Sequence, residues 1–252
     1  MRKRFENQMH WRNKINDALM NNMFELHYQP IVGLEDNSLS HYEVLIRMKE
    51  KDGNIVLPAP FIAVAEKTGL INAIDHFVLE TAINEIKQHN LKGQKIKLAI
   101  NLSAHSFGDE VLFGLLKRLL EASEIDPAQL IFEITETAAL SDLTAASELI
   151  GKIRSLGCYF ALDDFGVGFS SFYYLKELPV DYVKIDGSFI QKLPSNRNDQ
   201  ILVKAITEIA KEFGKKTIAE FVEDRETIEL LKKYEVDFVQ GYYVGMPEKM
   251  VA

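Results

Sequence analysis

The sequence contains a single cysteine, Cys158, so no disulfide can form within the chain. Disulfides are rare in reducing compartments. We therefore expect a cytoplasmic location, either free or as the cytoplasmic part of a longer membrane-anchored protein. The sequence also lacks any run of about 18 apolar residues, the length that a membrane-spanning helix needs. Its basic N-terminus has no apolar segment behind it, unlike a secretory signal. The sequence thus predicts no direct membrane span.

Positive charge is also scarce, since 29 Lys and Arg residues face 37 Asp and Glu residues and give a formal net charge of −8. Proteins that bind duplex DNA or RNA usually carry a basic surface, so the charge excludes broad duplex nucleic-acid binding. The sequence has no P-loop, no dinucleotide-binding fingerprint, no nucleophile-elbow serine and no HxH or HExxH motif. An acidic protein that acts on a phosphate ester would need cations, which indicates metals.

Apolar segments typical of strands recur along the whole chain and are separated by amphipathic stretches of helical length. The candidate strands are 24–32, 41–48, 96–103, 130–136, 159–165, 181–186, 216–222 and 238–245. Eight strands alternating with helices predict an α/β fold, a modified (β/α)8 TIM-like barrel. The first two strands are joined by the stretch "GLEDNSLS", which is too short for a helical crossover. We therefore expect that pair to be antiparallel, so that the barrel is irregular at its start.

The first 22 residues stand apart from the barrel pattern. Trp11, Ile15 and Leu19 recur at intervals of four residues and predict a helix. This segment either packs on the outside of the barrel or is the remnant of a linker from a longer chain. Residues 23–252 show no low-complexity linker and are predicted to form one barrel domain.

Polar side chains lie near the C-terminal end of nearly every candidate strand: Glu43, Asn101, Glu133, Glu136, Asp163, Asp164, Lys184, Glu220, Glu223 and Gln240. In a (β/α)8 barrel these strand ends meet on the face that carries the active site. Clustered carboxylates repel one another unless cations balance them. Oxygen ligands suit Mg²⁺ or Mn²⁺. Two such ions could clamp the attacking and leaving oxygens of a phosphodiester.

Taken singly, each acid could equally cap a helix or lie on a solvated rim. Asp163 and Asp164 pose a particular problem, because adjacent residues of a regular strand point to opposite faces. For both to serve one site, the strand should end at or just after Asp163, so that irregular backbone lets Asp164 turn toward the same site. Lys184 lies in a strand rich in Val, Ile and Tyr. It is either an edge residue whose ammonium reaches solvent or an interior ammonium that faces the acids and polarises a water.

Eight short motifs occur in order along the chain: "YQPI" (28–31), "YEVLIR" (42–47), "NLS" (101–103), "FEITE" (132–136), "LDDFGVGFSS" (162–171), "VKID" (183–186), "IAEFVE" (218–223) and "QGYYVG" (240–245). Together they resemble the EAL domain, the bacterial phosphodiesterase family that opens cyclic di-GMP to linear pGpG. The resemblance covers about residues 23–247. It implies a hydrolase that forms a homodimer, with a sensory or GGDEF-type domain upstream in a longer parent chain. Two alternatives stay open, a non-catalytic cyclic di-GMP receptor and an unrelated metal-dependent barrel hydrolase.

The resemblance also implies a set of metal ligands, namely Glu43, Asn101, Glu133, Asp163, Asp164 and Glu220. Asp163 would bridge two divalent cations, Mg²⁺ or Mn²⁺, whereas Ca²⁺ is expected to bind without supporting turnover. Lys184 would contact the attacking water, Glu220 would act as the general base, and Glu136 would anchor the loop 166–171 near the metals and the dimer contact. The implied substrate contacts are Gln29, Leu45, Arg47 and Gln240, with Glu223 and Asp186 in supporting positions beside the ligands.

The sequence departs from the family pattern at four positions. The triplet that names the family reads Glu43-Val44-Leu45, with Val in place of Ala. Val167 stands where Thr is common, Phe221 where Gly is common, and Met246 where Arg is frequent. None of these changes removes a metal ligand or Lys184, so they bear on rate and regulation more than on reaction type.

Overall fold

Strands and helices alternate along residues 2–167 and 171–250, the part of the chain that this computed structural model describes. The strands are β1 Phe24–Gly33, β2 Leu39–Lys49, β3 Ile55–Val56, β4 Leu98–Asn101, β5 Leu130–Thr135, β6 Tyr159–Phe165, β7 Tyr182–Ile185, β8 Lys216–Ala219 and β9 Phe238–Gln240. The helices are α1 Arg2–Met20, α2 Pro58–Thr68, α3 Ile71–Leu91, α4 Glu110–Ser123, α5 Glu136–Ser141, α6 Leu143–Ser155, α7 Ser171–Glu177, α8 Gly187–Ile190, α9 Arg197–Glu212 and α10 Arg225–Lys233. Short 3₁₀ helices occupy Ala104–Gly108 and Pro127–Gln129.

The strands form a closed barrel in the order β1-β9-β8-β7-β6-β5-β4-β2, which closes through the pairing of β1 with β2. Strand β1 is antiparallel to both β2 and β9, whereas the other barrel strands pair in parallel. The predicted (β/α)8 barrel and its antiparallel first pair are therefore confirmed. The two-residue strand β3, which pairs with the end of β2, was not predicted.

The β1–β2 hairpin places Gln29 opposite Glu43. Its turn, residues 34–38, includes Asn37 in the left-handed conformation with φ of 54°. The Asp36 carboxylate accepts a hydrogen bond from the Ser38 backbone N–H, which is the local bonding that favours Asp and Asn in turns. The sequence of the turn thus supports a fixed register between the two strands.

The core has two layers because strand side chains alternate between the inside and the outside of the barrel. In β4, Leu98 and Ile100 join the large cluster that packs under the helices, whereas Ala99 belongs to a separate small cluster. That small cluster fills the barrel interior with Ile31, Ala99, Ile131, Ala161, Tyr182 and Ile218. The interior is therefore a packed core, as in other (β/α)8 barrels.

Aromatic side chains close the N-terminal end of the barrel. The His41 ring lies 5.7 Å from the Tyr182 ring and 6.3 Å from the Phe238 ring. Lys97 and Lys216 place their ammonium groups over Tyr159 and Phe238. Burial, with a smaller effect of Lys184, lowers the pKa of His41 to about 3, so the ring is neutral. His41 is therefore a packing residue at this end of the barrel.

Helix α1 lies on the outside of the barrel against α2. Within residues 6–20 of this helix, Ile15 and Ala18 are buried, and Trp11 and Leu19 are partly buried. The Lys14 ammonium lies over the Trp11 ring at 5.1 Å. Among the described residues, no helix combines the length and the apolarity needed to cross a membrane.

Candidate active site

Lys184 is the centre of the polar cluster at the C-terminal end of the barrel. Its side chain is completely buried. The Nζ atom lies 3.0 Å from carboxylate oxygens of Glu133, Asp163 and Glu220, and 3.4 Å from Glu43. In β7, Tyr182 and Lys184 point into the barrel while Val183 and Ile185 point outward. Of the two interpretations of Lys184, the interior ammonium is therefore correct and the solvent-reaching edge residue is wrong.

The ammonium and the acids shift one another's pKa values. Burial alone would lower the pKa of Lys184, but the surrounding carboxylates raise it well above its ordinary value. Burial raises the pKa of Glu133 and Asp163, and it raises that of Glu220 to about 8. Burial also opposes ionisation of Glu43, but Lys184 and two amide hydrogen bonds hold the pKa of this carboxyl below its ordinary value. One lysine thus supplies too little positive charge to keep all of these carboxyl groups ionised.

Asp163 and Asp164 reach the same site because β6 is irregular between them. The strand does not end at Asp163 but continues to Phe165. Asp164 has a left-handed φ of 54°, and the pairing with β7 shifts register between Leu162 and Phe165, as in a β-bulge. Carboxylate oxygens of Asp163, Asp164 and Glu220 consequently lie within 4.8 Å of one another. Burial, followed by repulsion from Asp163, raises the pKa of Asp164 to about 6.

These residues fit divalent cations that prefer oxygen. Buried Glu133 has one carboxylate oxygen, Oε1, without a hydrogen-bond partner among the described residues. Such an atom is costly unless a cation or donor reaches it. The donor set consists of carboxylates and the Asn101 amide, which suits Mg²⁺ or Mn²⁺ better than softer ions. Five carboxylates against one ammonium leave a formal charge of −4, which two divalent cations would neutralise.

A chain of amide groups orients Glu43. Asn101 Nδ2 donates to Glu43 Oε1 at 2.8 Å, and Gln240 Nε2 donates to Glu43 Oε2. Gln240 Nε2 also donates to Gln29 Oε1 at 3.0 Å, and Gln29 Nε2 donates to the carbonyl of Gly245 at 3.1 Å. Gln29 and Gln240, which the sequence assigned to substrate binding, therefore also hold a predicted metal ligand in place.

A cavity of about 420 Å³ opens beside the cluster. Its lining includes the four predicted substrate contacts, Gln29, Leu45, Arg47 and Gln240, and the three predicted acids Glu43, Glu220 and Glu223. The other lining residues were not assigned to the site from the sequence: Gln191, Phe221, Gly241, Tyr242 and Pro247. Arg47 is buried, and its Nη1 donates to the Ile46 carbonyl at 3.0 Å. Tyr242 lies within the "QGYYVG" motif, which was a usable signal, whereas no motif pointed to Gln191.

The remaining predicted residues lie around this centre. Glu136 Oε2 accepts a hydrogen bond from the Gly166 backbone N–H at 3.0 Å, the contact expected of a loop anchor. Asp186 caps α8 by accepting from Ser188 N, and it is close enough to Asp164 to raise the pKa of that carboxyl. Glu223 is exposed on the cavity wall. The predicted loop contributions of residues 168–170 lie outside the described residues.

Three of the four departures from the family pattern are exposed. Val167 is 66% exposed, Met246 56% and Phe221 55%. Phe221 alone among these three lines the cavity. Val44, the extra bulk in the Glu43-Val44-Leu45 triplet, points away from Glu43 into the outer core and is buried.

Comparisons with known proteins agree with this geometry. The family model of the EAL domain matches residues 12–247. The cyclic di-GMP phosphodiesterase PdeB of Shewanella oneidensis is 40% identical over 243 residues, which is 96% of this chain and 28% of PdeB. The cyclic di-GMP phosphodiesterase PdeF of Escherichia coli is 35% identical, over 95% of this chain and 32% of PdeF. The chain thus spans about a third of the length of these relatives.

Solved structures show the same fold. The PaMucR phosphodiesterase in a c-di-GMP complex superimposes with a TM-score of 0.89 at 32% identity, covering 95% of this chain and 97% of that one. The Xanthomonas citri FimX EAL domain in complex with c-diGMP gives a TM-score of 0.92 at 27% identity, covering 99% and 98%. With a family model that covers most of its length, and with this barrel and its acidic rim, the chain belongs to the EAL domain family.

Proposed function

We propose that this chain is a metal-dependent phosphodiesterase that hydrolyses cyclic di-GMP to linear pGpG. The observation that carries the proposal is the contact of one buried lysine, Lys184, with four carboxylates beside an open cavity. Such a site can hold cations, a water and a phosphodiester together. The names of PdeB and PdeF support the choice of substrate.

Two Mg²⁺ or Mn²⁺ ions are the proposed cofactors. Glu43, Asn101, Glu133 and Asp163 would hold one ion, while Asp163, Asp164 and Glu220 would hold the other. When bound, such ions lower the pKa of a coordinated water and stabilise negative charge on the phosphodiester and the leaving oxygen. The uncompensated charge of the cluster and the orphaned Glu133 oxygen support this assignment.

Lys184 would position the attacking water, and Glu220 would act as the general base that accepts its proton. Their charged groups are 3.0 Å apart, so one water can reach both. The Lys184 ammonium would hold the water oxygen toward phosphorus, and the Glu220 carboxylate would accept its proton. The new bond joins this oxygen to phosphorus, and the bond from phosphorus to the ribose 3′ oxygen breaks. That oxygen leaves as a hydroxyl after it takes up a proton, which balances the proton that Glu220 accepted from the water.

The cavity wall would bind the substrate. Arg47 offers a guanidinium that suits a phosphate oxygen, Gln29 and Gln240 offer amides, and Leu45 offers an apolar contact for a base. In the cell we expect a homodimer in the cytoplasm. A sensory or GGDEF-type domain is expected elsewhere in the parent protein, because the chain spans only about a third of its relatives.

The direct test is to incubate the purified protein with cyclic di-GMP and Mg²⁺ or Mn²⁺ and to separate the products by chromatography. We expect pGpG from the wild type and none from Glu43→Gln. Exposed Glu235→Gln, a change of the same chemistry away from the site, should retain activity. Absence of pGpG with both metals would overturn the proposal. Nucleotide that stays bound and intact for hours would favour a non-catalytic receptor.

A further inference from the structure

Phe221 has an unfavourable backbone conformation that is not offset by burial of its side chain. Its φ is 52°, in the left-handed region that glycine adopts freely and that a residue with a Cβ adopts at a cost. Its side chain is 55% exposed, so little burial offsets that cost. An unfavourable backbone combined with an exposed ring is the kind of outlier that points to function.

The backbone on both sides of Phe221 is firmly held. Val222 N donates to the Gln240 carbonyl at 3.0 Å, and Tyr243 N donates to the Val222 carbonyl at 3.0 Å. Glu220 is held by its ion pair with Lys184. Phe221 therefore has a fixed position between a predicted metal ligand and an anchored residue, although its ring makes little contact with the core.

The ring is supported from the side of α8. A Cβ on Gly187 would lie only 2.2 Å from Cδ2 of Phe221, so the ring occupies space that any other residue at position 187 would fill. The ring also lines the cavity, whose wall includes exposed Tyr242. The ring is thus presented to the cavity beside Glu220.

We propose that Phe221 is a specificity-determining residue on which a purine base of the substrate stacks. The identity of that substrate rests on the proposed function. A phosphodiester held at Glu220 places its attached nucleoside within reach of the neighbouring ring, and an aromatic face is the surface on which bases stack. Stacking tolerates any base. Phe221 would therefore favour substrates that carry a nucleobase over simple phosphodiesters, whereas polar groups of the cavity would distinguish one base from another.

The first test compares KM and kcat for Phe221→Gly, Phe221→Trp and the wild type with cyclic di-GMP. We expect the glycine variant to raise KM about tenfold, the low end of what loss of base stacking produces, with kcat changed less than twofold. Phe221→Trp should keep KM within about twofold of the wild type. Phe213→Ala, which removes an exposed ring at the end of α9 outside the cavity lining, should change neither constant.

The melting temperature separates substrate binding from a structural role. Glycine accepts the left-handed φ, so Phe221→Gly should melt no lower than the wild type. If its melting temperature falls and Phe221→Trp also fails to keep KM low, the ring is structural and the inference is overturned. An unchanged KM in Phe221→Gly also overturns it.

A binding test separates this inference from the proposed activity. The probe is a cyclic dinucleotide with 2-aminopurine in place of one guanine, added with Ca²⁺, which we expect to permit binding without turnover. Stacking should quench the fluorescence with the wild type and not with Phe221→Gly. If the wild type shows this quenching but never yields pGpG, the proposed function fails and the inference stands. Equal quenching in both proteins, or none in either, overturns the inference.

Discussion

The Lys184 ammonium lies 3.0 Å from Glu133 Oε2, and both side chains are completely buried. Removing one member of a buried ion pair leaves the other charge without compensation, which typically costs about 3–5 kcal/mol. We expect Lys184→Met to abolish turnover and to lower the melting temperature in EDTA. Lys211→Met, which breaks an exposed ion pair with Glu235, should leave both unchanged. A fully stable Lys184→Met protein would contradict the interpretation of a charged, interacting cluster.

Divalent cations should stabilise the fold, because they would relieve repulsion among Glu43, Glu133, Asp163 and their neighbours. A ligand at 100 times its Kd stabilises a protein by about 2.7 kcal/mol. We expect the melting temperature to rise by several degrees when Mn²⁺ or Mg²⁺ replaces EDTA in differential scanning calorimetry. Glu133→Gln should weaken this rise. An identical melting temperature with and without metal would argue against the metal site.

At Asp164, the effect of the carboxylate charge can be tested separately from the effect of the left-handed backbone conformation. Asparagine, like aspartate, is among the non-glycine residues that adopt a φ near 54° most readily. Asp164→Asn should therefore keep the melting temperature of the wild type while lowering kcat by about 100-fold or more, the scale seen when electrostatic stabilisation is removed from an active site. Asp164→Val should also melt lower, because a β-branched residue disfavours this backbone. Equal activity of Asp164→Asn and the wild type would remove Asp164 from the metal site.

Gly187 and Phe221 should be energetically coupled. A methyl group at position 187 would collide with the Phe221 ring, so Gly187→Ala must displace the ring. We expect Gly187→Ala alone to raise KM for cyclic di-GMP, and to have little further effect when Phe221 is already glycine. A double-mutant cycle of KM values measures this coupling. Strictly additive effects of the two changes would show that the ring position is unrelated to substrate binding.

Glu25 should make stability depend on acid pH. Burial by itself raises the pKa of Glu25, but Lys49, His27 and Lys249 together lower it to about 2, below its ordinary value of 4.5. Because the folded-state pKa is the lower one, this stabilisation is present above about pH 4.5 and is lost as the pH falls toward 2. Urea unfolding should show Glu25→Gln less stable than the wild type at pH 7, with the difference shrinking by pH 3.

The matched control for this series is Glu121→Gln on exposed helix α4. Its free energy of unfolding should follow that of the wild type at every pH. A difference between Glu25→Gln and the wild type that persists undiminished at pH 3 would mean that packing of the side chain, and not its charge, is responsible.

Much of the barrel could be predicted because its strands carry local signals. β1, β2, β5 and β6 lie close to the predicted ranges, since their apolar runs are long. β8 and β9 end earlier than predicted, at Ala219 and Gln240. The residues that follow are held in a non-strand backbone by hydrogen bonds between Val222 and the 240–243 segment. Such contacts between distant parts of the chain leave no local pattern.

The candidate site shows the same division. Residue type and position at the strand ends were enough to predict that the acids cluster, and these acids do lie around Lys184. The sequence indicated irregular backbone at Asp163 and Asp164, but it predicted a strand end where β6 has a bulge and continues to Phe165, because the register with β7 decides between the two. Gln191 was missed since it reaches the cavity only through the placement of α8.

The β1–β2 hairpin links the two ends of the barrel. Its turn, at residues 34–38, lies at the end opposite the acids, yet it sets which β1 residue faces Glu43. Side chains of a strand alternate between faces, so a slip of one residue would turn Glu43 out of the barrel and bring Val44 or Tyr42 in. The amino-acid sequence of this five-residue turn, at the opposite end of the barrel, thus determines whether β2 presents a carboxylate or another side chain to the active site.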